Sequence, residues 1–460
     1  MTNPDRKLRL WLIGLVAANV AAYSLVLAAK SLLGDGNIPS VNPWICSLTT
    51  LSFIGALVLT WLAVKHNRET LAWGGKKVVF AVGAASAAIM LTAVSLPPIG
   101  SADNYWNTLM IRGWTVYGRN PYSAVAADFS DDPLFPSTAK IWNNIGMPYG
   151  PIWALYSAVP TAVIREPWAA TVALKFFVAL AYAAAGALLY LGLRRVDPER
   201  AGVASAFWML CPIGIFEAAN AGHNEGLLVV PLVALALALR RQRPDWALPA
   251  VMTAVFIKFW PLIFLPALLH LRRAGLKAWL KGLALAAIPA LSLLVFWPHG
   301  RLFMPWMSEL YLPGYFAFGH FLWWGGAVSQ GWPPRLASQA ATRFFTLALA
   351  ATAAWAGWRS SQGRIDPNKT CLILGFVAVF ICLNWLNPWY TLALVPFALL
   401  ATRDPMDGVA LASVIGGLGM AHYLTLHWGL LLAILVSLLL PTILLFFFRQ
   451  LSRGRKRAAA

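Results

Sequence analysis

Residues 168–195, WAATVALKFFVALAYAAAGALLYLGLRR, decide the fold. The stretch 168–193 is apolar over more than the roughly 20 residues that a helix needs to cross a bilayer. It stops at Arg194 and Arg195, and a hydrophobic run that ends on paired arginines reads as a membrane span with its basic end on the cytoplasmic side. Working outward, hydropathy marks further spans near 11–29, 44–64, 78–96, 201–219, 226–239, 278–297, 340–358, 370–386, 389–402, 408–425 and 428–448, with a broken pair at 246–257 and 259–271. The expected architecture is an all-α polytopic membrane protein of about 14 segments, some short or broken.

Composition agrees. Of 460 residues, 59% are hydrophobic and 12% charged, with a mean hydropathy of +0.66, whereas about a quarter of an ordinary soluble domain is charged. Soluble domains, disulfide scaffolds, disordered chains and collagen-like repeats are thereby excluded. The net charge of +19, from 36 Lys and Arg against 17 Asp and Glu, would suggest nucleic acid in a soluble protein. Here the basic clusters Lys65/Arg68/Lys76/Lys77, Arg194/Arg195/Arg200, Arg240/Arg241/Arg243, Arg272/Arg273/Lys277/Lys281, Arg359/Arg364/Lys369, Arg403 and the tail 449–457 can all lie on one side if both termini are cytoplasmic. They carry almost the whole excess. The charge is thus an orientation signal, and no nucleic-acid partner is expected.

The run 11–29 follows Arg6, Lys7 and Arg9 but lacks a clear cleavage site, and is expected to be a retained first helix. Counting 149–164 as a crossing would put Arg194 and Arg195 outside, so it is expected to be a juxtamembrane helix on the outer face. The broken pair turns at Lys258-Phe259-Trp260-Pro261. Segments of about a dozen residues cover only about 18 Å, so this turn should line an aqueous site on the outer side. The chain then divides into membrane helices 1–96, a first outer loop 97–167, a membrane core 168–297, a second outer loop 298–339, and C-terminal helices with a basic tail, 340–460. Cys46, Cys211, Cys371 and Cys382 lie in or beside apolar runs without ligand spacing and read as small core residues.

Ionisable groups at the outer boundary are the informative ones, because burying them is costly. Asp103 follows Leu96-Pro97-Pro98 within a few residues and is the best candidate general base; it could equally cap the helix that starts near Tyr105. Gly118-Arg119-Asn120-Pro121-Tyr122, Trp142 and Pro148-Tyr149-Gly150-Pro151 read by themselves as turns and interfacial aromatics. Asp131-Asp132 lacks a third oxygen ligand at suitable spacing, and no metal is assigned. Asn220, His223, Asn224 and Glu225 crowd a short loop between two spans, either capping the next helix or facing a substrate or phosphate. Lys258 must snorkel, pair with Glu225 or Glu217, or bind phosphate. Asn387-Pro388-Trp389-Tyr390 could be an aromatic belt. No nucleotide-binding, zinc-protease or serine-hydrolase motif occurs. An enzyme with its polar groups on the outer face cannot count on cytoplasmic nucleotides, so its activated substrate must arrive on lipid.

In this order, Ser101-Ala102-Asp103-x-Tyr105, Gly118-x-Asn120-Pro121-Tyr122, Pro148-Tyr149-Gly150-Pro151, Cys211-Pro212, Ala221-Gly222-His223-Asn224-Glu225, Lys258 with Pro261, and Asn387-Pro388-Trp389-Tyr390 resemble the polyprenyl-phosphate-mannose-dependent mannosyltransferases of the actinobacterial α-(1→6) type, members of the GT-C superfamily. The resemblance covers roughly residues 95–400. It implies a GT-C fold in the plasma membrane and inverting transfer of a sugar, most simply mannose, from a polyprenyl-phosphate donor to a glycan or glycolipid hydroxyl at the extracytoplasmic face. Asp103 would be the general base, and Lys258, His223 and Arg301 would hold the donor phosphate. Asn104, Tyr105, Asn120, Tyr122, Tyr149, Asn224, Glu225, Trp389 and Tyr390 would line the substrate site. Phosphate is already a good leaving group, so no cofactor or metal is expected. The rival reading is a transporter or flippase of lipid-linked sugars, but such proteins often show paired halves with midplane sites; here the polar sets collect at one face.

Overall fold

The computed structural model describes residues 4–32, 43–296, 317–383 and 387–428, and among them all regular structure is helical. The N-terminal part comprises α1 (Pro4–Leu32), α2 (Pro43–His66), α3 (Arg68–Trp73) and α4 (Gly75–Ser95); α5 (Asp103–Thr115) and α6 (Pro151–Val163) flank a loop of short 3-10 turns. The central part comprises α7 (Pro167–Leu193), α8 (Pro198–Leu210), α9 (Pro212–Ile215) with a π-turn at Phe216–Asn220, α10 (Glu225–Arg240), α11 (Pro244–Ile257), a 3-10 helix at Trp260–Leu271, and α12 (Leu276–Ala290). It is followed by α13 (Phe318–Ser329), α14 (Pro334–Ser361), α15 (Pro367–Val377), a 3-10 helix at Pro388–Leu394, α16 (Val395–Leu400) and α17 (Pro405–Trp428).

Among the described residues, five helices are long and apolar enough to cross a bilayer: Pro4–Leu32, Trp44–His66, Gly75–Ser95, Pro167–Leu193 and Leu276–Phe296. Pro198–Leu210 and Pro212–Asn220 would together make a sixth, bent by 49°. The chain is a polytopic membrane protein. Several other expected segments are short helices: Pro244–Ile257, Trp260–Leu271, Pro367–Cys382 and Pro388–Leu400 each have 10–17 residues. Residues 429–448 of the expected last span and residues 298–316 of the second loop lie outside the described residues.

Proline sets the helix starts. Its fixed φ and missing N–H suit the first helical turn, and Pro151, Pro167, Pro198, Pro244, Pro334 and Pro367 each open a helix. Three of these starts carry an acidic cap as well. Glu166 accepts from the N–H groups of Trp168 and Ala169, Asp197 from Arg200, and Asp366 from Asn368 and Lys369.

Charges gather at one end of the bundle. Arg200 is buried, with its guanidinium donating to Asp197 and to the carbonyls of Leu399, Thr402 and Arg403. Arg68 pairs with Glu199 and Asp404, and Arg240 with Asp197. Four of the basic clusters that the sequence assigns to one side therefore meet in one network. At the other end of α4, Lys175 of α7 donates to the carbonyls of Val94 and Leu96, a cation on the electronegative end of a helix.

Two contacts carry the first loop to that end. Asn220 donates through Nδ2 to the carbonyls of Ala93 (3.2 Å) and Pro97 (3.0 Å) and accepts from the Ile99 N–H at 2.9 Å, tying the π-turn to the segment before Asp103. Gly150 donates its N–H to the Ile257 carbonyl at 2.9 Å, and a Cβ there would collide with the Phe256 backbone. Glycine thus lets the loop lie directly on the break between α11 and the following 3-10 helix.

Candidate active site

The break supplies a cation. Lys258 leaves α11 with extended backbone (φ −152°, ψ 129°), and Pro261 lacks the N–H that would continue an α-helix. Its ammonium lies 2.5 Å from Glu225 Oε1, with both side chains almost fully buried. It also sits 3.9 Å from the ring centroid of Tyr390 and 5.4 Å from that of Tyr149. An acid in the first turn of α10, a lysine at a helix break and two tyrosine rings make a compact site in which the cation is paired and also held on aromatic faces. Of the alternatives open for Lys258, the structure shows pairing with Glu225.

Asp103 stands next to this group. It is the first helical residue of α5, and its own N–H donates to Ser101 Oγ at 3.0 Å. The helix start has no side-chain cap, so the capping alternative for Asp103 is not realised. Burial pushes that carboxyl up to about 6, against opposing effects of hydrogen bonding from Ser101, the Lys258 charge and a hydrogen bond from Trp142, while Glu225 adds to the rise. A carboxylate near 6 is a stronger base than a free one and still mostly ionised at neutral pH.

The loop 221–225 closes the site. Gly222 has φ +66°, in the left-handed region, and packs closely on Asn104 and Lys175. His223 stacks on Trp389 with ring centroids 3.7 Å apart, and its Nδ1 is 2.8 Å from Glu217 Oε2. No side chain caps α10 either. Asn104 Nδ2, His223 Nε2, Asn224 Nδ2 and Glu225 Oε2 are buried without a protein hydrogen-bond partner. Buried polar atoms are normally satisfied, so these are sites for a polar ligand or water.

Other sequence candidates have structural jobs. Asn120 Oδ1 accepts from the Tyr122 N–H at 2.9 Å, locking the turn after Gly118. Tyr122 packs edge-on against Phe296, and Tyr105 edge-on against Trp168. Asp132 pairs with buried Arg112 at 3.0 Å and accepts from the Tyr117 hydroxyl at 2.9 Å, so it braces the first loop. Arg301 lies outside the described residues. Asp103, Tyr149, His223, Asn224, Glu225, Lys258, Trp389 and Tyr390 do converge. Lys175 does not stand out in the sequence as a site residue, and Glu217 stands out there only as a possible mate for Lys258. The signal for both was an ionisable residue inside an apolar run.

A family model described as "Alpha-(1->6)-mannopyranosyltransferase, N-terminal domain", of the MptA_B family, matches residues 10–273, more than half of the chain. The chain belongs to this mannosyltransferase family. No curated protein and no solved structure matches it. For a mannosyltransferase, a sugar donor and an acceptor are required, and the matched segment holds Asp103, His223, Glu225 and Lys258. Trp389 and Tyr390, which press on His223 and Lys258, come from beyond it.

Proposed function

We propose that this mannosyltransferase has the GT-C fold and moves mannose with inversion from a polyprenyl-phosphate donor to a glycan or glycolipid hydroxyl at the extracytoplasmic face of the plasma membrane. The observation that carries the reading is Asp103, a buried carboxylate within the field of the Lys258 ammonium. In an inverting step the acceptor oxygen attacks the anomeric carbon and gives its proton to Asp103. The bond from that carbon to the phosphate oxygen breaks, and its electron pair leaves with the phosphate. Lys258 has three N–H donors, of which Glu225 takes one; the ammonium thus retains donors for the developing negative charge. The unpartnered atoms of Asn104, Asn224 and Glu225 suit sugar hydroxyls, and the rings of Tyr149, Trp389 and Tyr390 suit the sugar's C–H face. A lipid-linked donor fits a site at the end of apolar helices, with no nucleotide-binding motif in the sequence.

Membranes carrying the protein should transfer mannose from polyprenyl-phosphate-mannose. Asp103→Asn should lower the rate by about 10²–10⁴-fold, the usual worth of positioned proton transfer, at unchanged protein level. Wild-type activity in that variant removes Asp103 as the base. Transfer by purified protein from a nucleotide sugar alone removes the donor class, and movement of lipid-linked sugar without transfer favours a flippase.

A further inference from the structure

Glu217 is a carboxylate that the transfer step does not use. It lies in the π-turn Phe216–Asn220, 1% exposed, and makes a closed ring with His223: the His223 N–H donates to the Glu217 carbonyl at 3.0 Å, and His223 Nδ1 is 2.8 Å from Glu217 Oε2. The Tyr423 hydroxyl, from α17, donates to Oε1 at 3.2 Å. Trp389 covers one face of the imidazole. These contacts fix the ring from three elements and leave one polar atom, Nε2, buried without a partner.

We propose that Glu217, held by Tyr423, is a positioning residue that keeps a hydrogen on His223 Nε2 and aims that N–H at the ligand. Counting protons carries the argument. With Oε1 accepting from the Tyr423 hydroxyl, a carboxyl proton can sit only on Oε2, facing Nδ1; if the buried pair is neutral overall, it is therefore either a carboxylic acid donating to Nδ1 or a carboxylate accepting from the Nδ1–H of an imidazolium. In both forms Nε2 bears hydrogen. Removing one proton bares Nε2 but leaves a net negative charge on a pair that water cannot reach, which burial disfavours. The π-turn serves the arrangement, since an extra residue in the helix is a common way to aim a side chain at a functional site. The resulting N–H suits an anionic acceptor, the donor phosphate of the proposed reaction, and to that extent the assignment rests on that reading.

The test is ¹⁵N NMR of the full-length protein labelled at its seven histidines, with the His223 signals identified by their loss in His223→Gln. Wild type should show a protonated Nε2 without any substrate. Glu217→Gln should keep it, because the amide oxygen can accept from Tyr423 while the amide N–H donates to Nδ1. Glu217→Leu should give mixed tautomers and a kcat lower on the order of 10- to 100-fold, with Gln recovering most of that loss. Tyr423→Phe, which removes one hydroxyl, should shift the same signals partway should the leucine variant fail to fold. A bare Nε2 in wild type, or His223 signals indifferent to Glu217→Leu or, where that variant does not fold, to Tyr423→Phe, overturns the proposal. The spectrum is read without donor, so it stands or falls separately from the transfer assay.

Discussion

Asp103 shows how one residue's surroundings set its chemistry. Its carboxyl sits at about 6 chiefly because burial penalises the charge, and only the ionised form can accept a proton. Below that value the fraction of usable base falls tenfold per pH unit. The expected kcat/KM therefore climbs with pH through about 6 and flattens above it; an acid limb near the ordinary carboxylate range, about 4, would mean that another group limits the rate. Lys258 calls for a different design of variant. Its partner Glu225 is fully buried, so Lys258→Met alone strands a charge, at a cost of about 3–5 kcal/mol. Lys258→Met with Glu225→Gln removes both charges and should recover most of the Tm while transfer stays impaired. Recovery of transfer together with Tm would mark the pair as purely structural. Both residues are legible in the sequence from the cost of charge near apolar runs, but whether Glu225 or Glu217 is the mate of Lys258 depends on the fold. Two acids eight residues apart look alike until a π-turn and a helix start aim them differently.

Among elements, breaks matter more than spans. The turn at Lys258-Phe259-Trp260-Pro261 was legible because Pro261 interrupts an apolar run and leaves each half too short to cross alone. Its partner, the loop at Gly150, was legible only as a turn, since the close approach of two backbones leaves no trace in hydropathy. Gly150→Ala tests that contact. A methyl placed against the Phe256 backbone must push the loop away from Lys258, at about 1–3 kcal/mol by analogy with overpacked cores. Tyr149 would move with it. Transfer should fall by more than the loss of folded protein explains, as measured by kcat per folded molecule; a fall matching the drop in folded fraction would leave Tyr149 without a part in the site. Helix starts were also readable, because Pro and an acidic cap recur before α7, α8 and α15. The 3-10 helices and π-turns were not: they follow from how neighbouring segments pack, whereas apolar runs of a dozen residues look alike in either form.

At the scale of the whole molecule, the site is assembled from segments far apart in the chain. The family match ends at 273, yet His223 and Lys258 are covered by Trp389 and Tyr390, and Glu217 is held by Tyr423. The C-terminal helices thus complete a site whose ionisable members lie upstream. The two ends of the bundle also differ in charge, with Arg68, Arg200 and Arg240 networked at one end and Asp103 and Lys258 at the other. The positive-inside rule then predicts an orientation that can be measured. Arg119 is exposed in the first loop and Val196 is exposed beside Arg194 and Arg195. The four native cysteines are buried and should give little background with a membrane-impermeant maleimide. In intact cells Arg119→Cys should label and Val196→Cys should label only after the membrane is opened. The reverse pattern would turn Asp103 toward the cytoplasm, where nucleotide sugars are at hand and the argument for a lipid-borne donor loses its premise; labelling at both sites in intact cells would mean that 149–164 crosses the membrane after all.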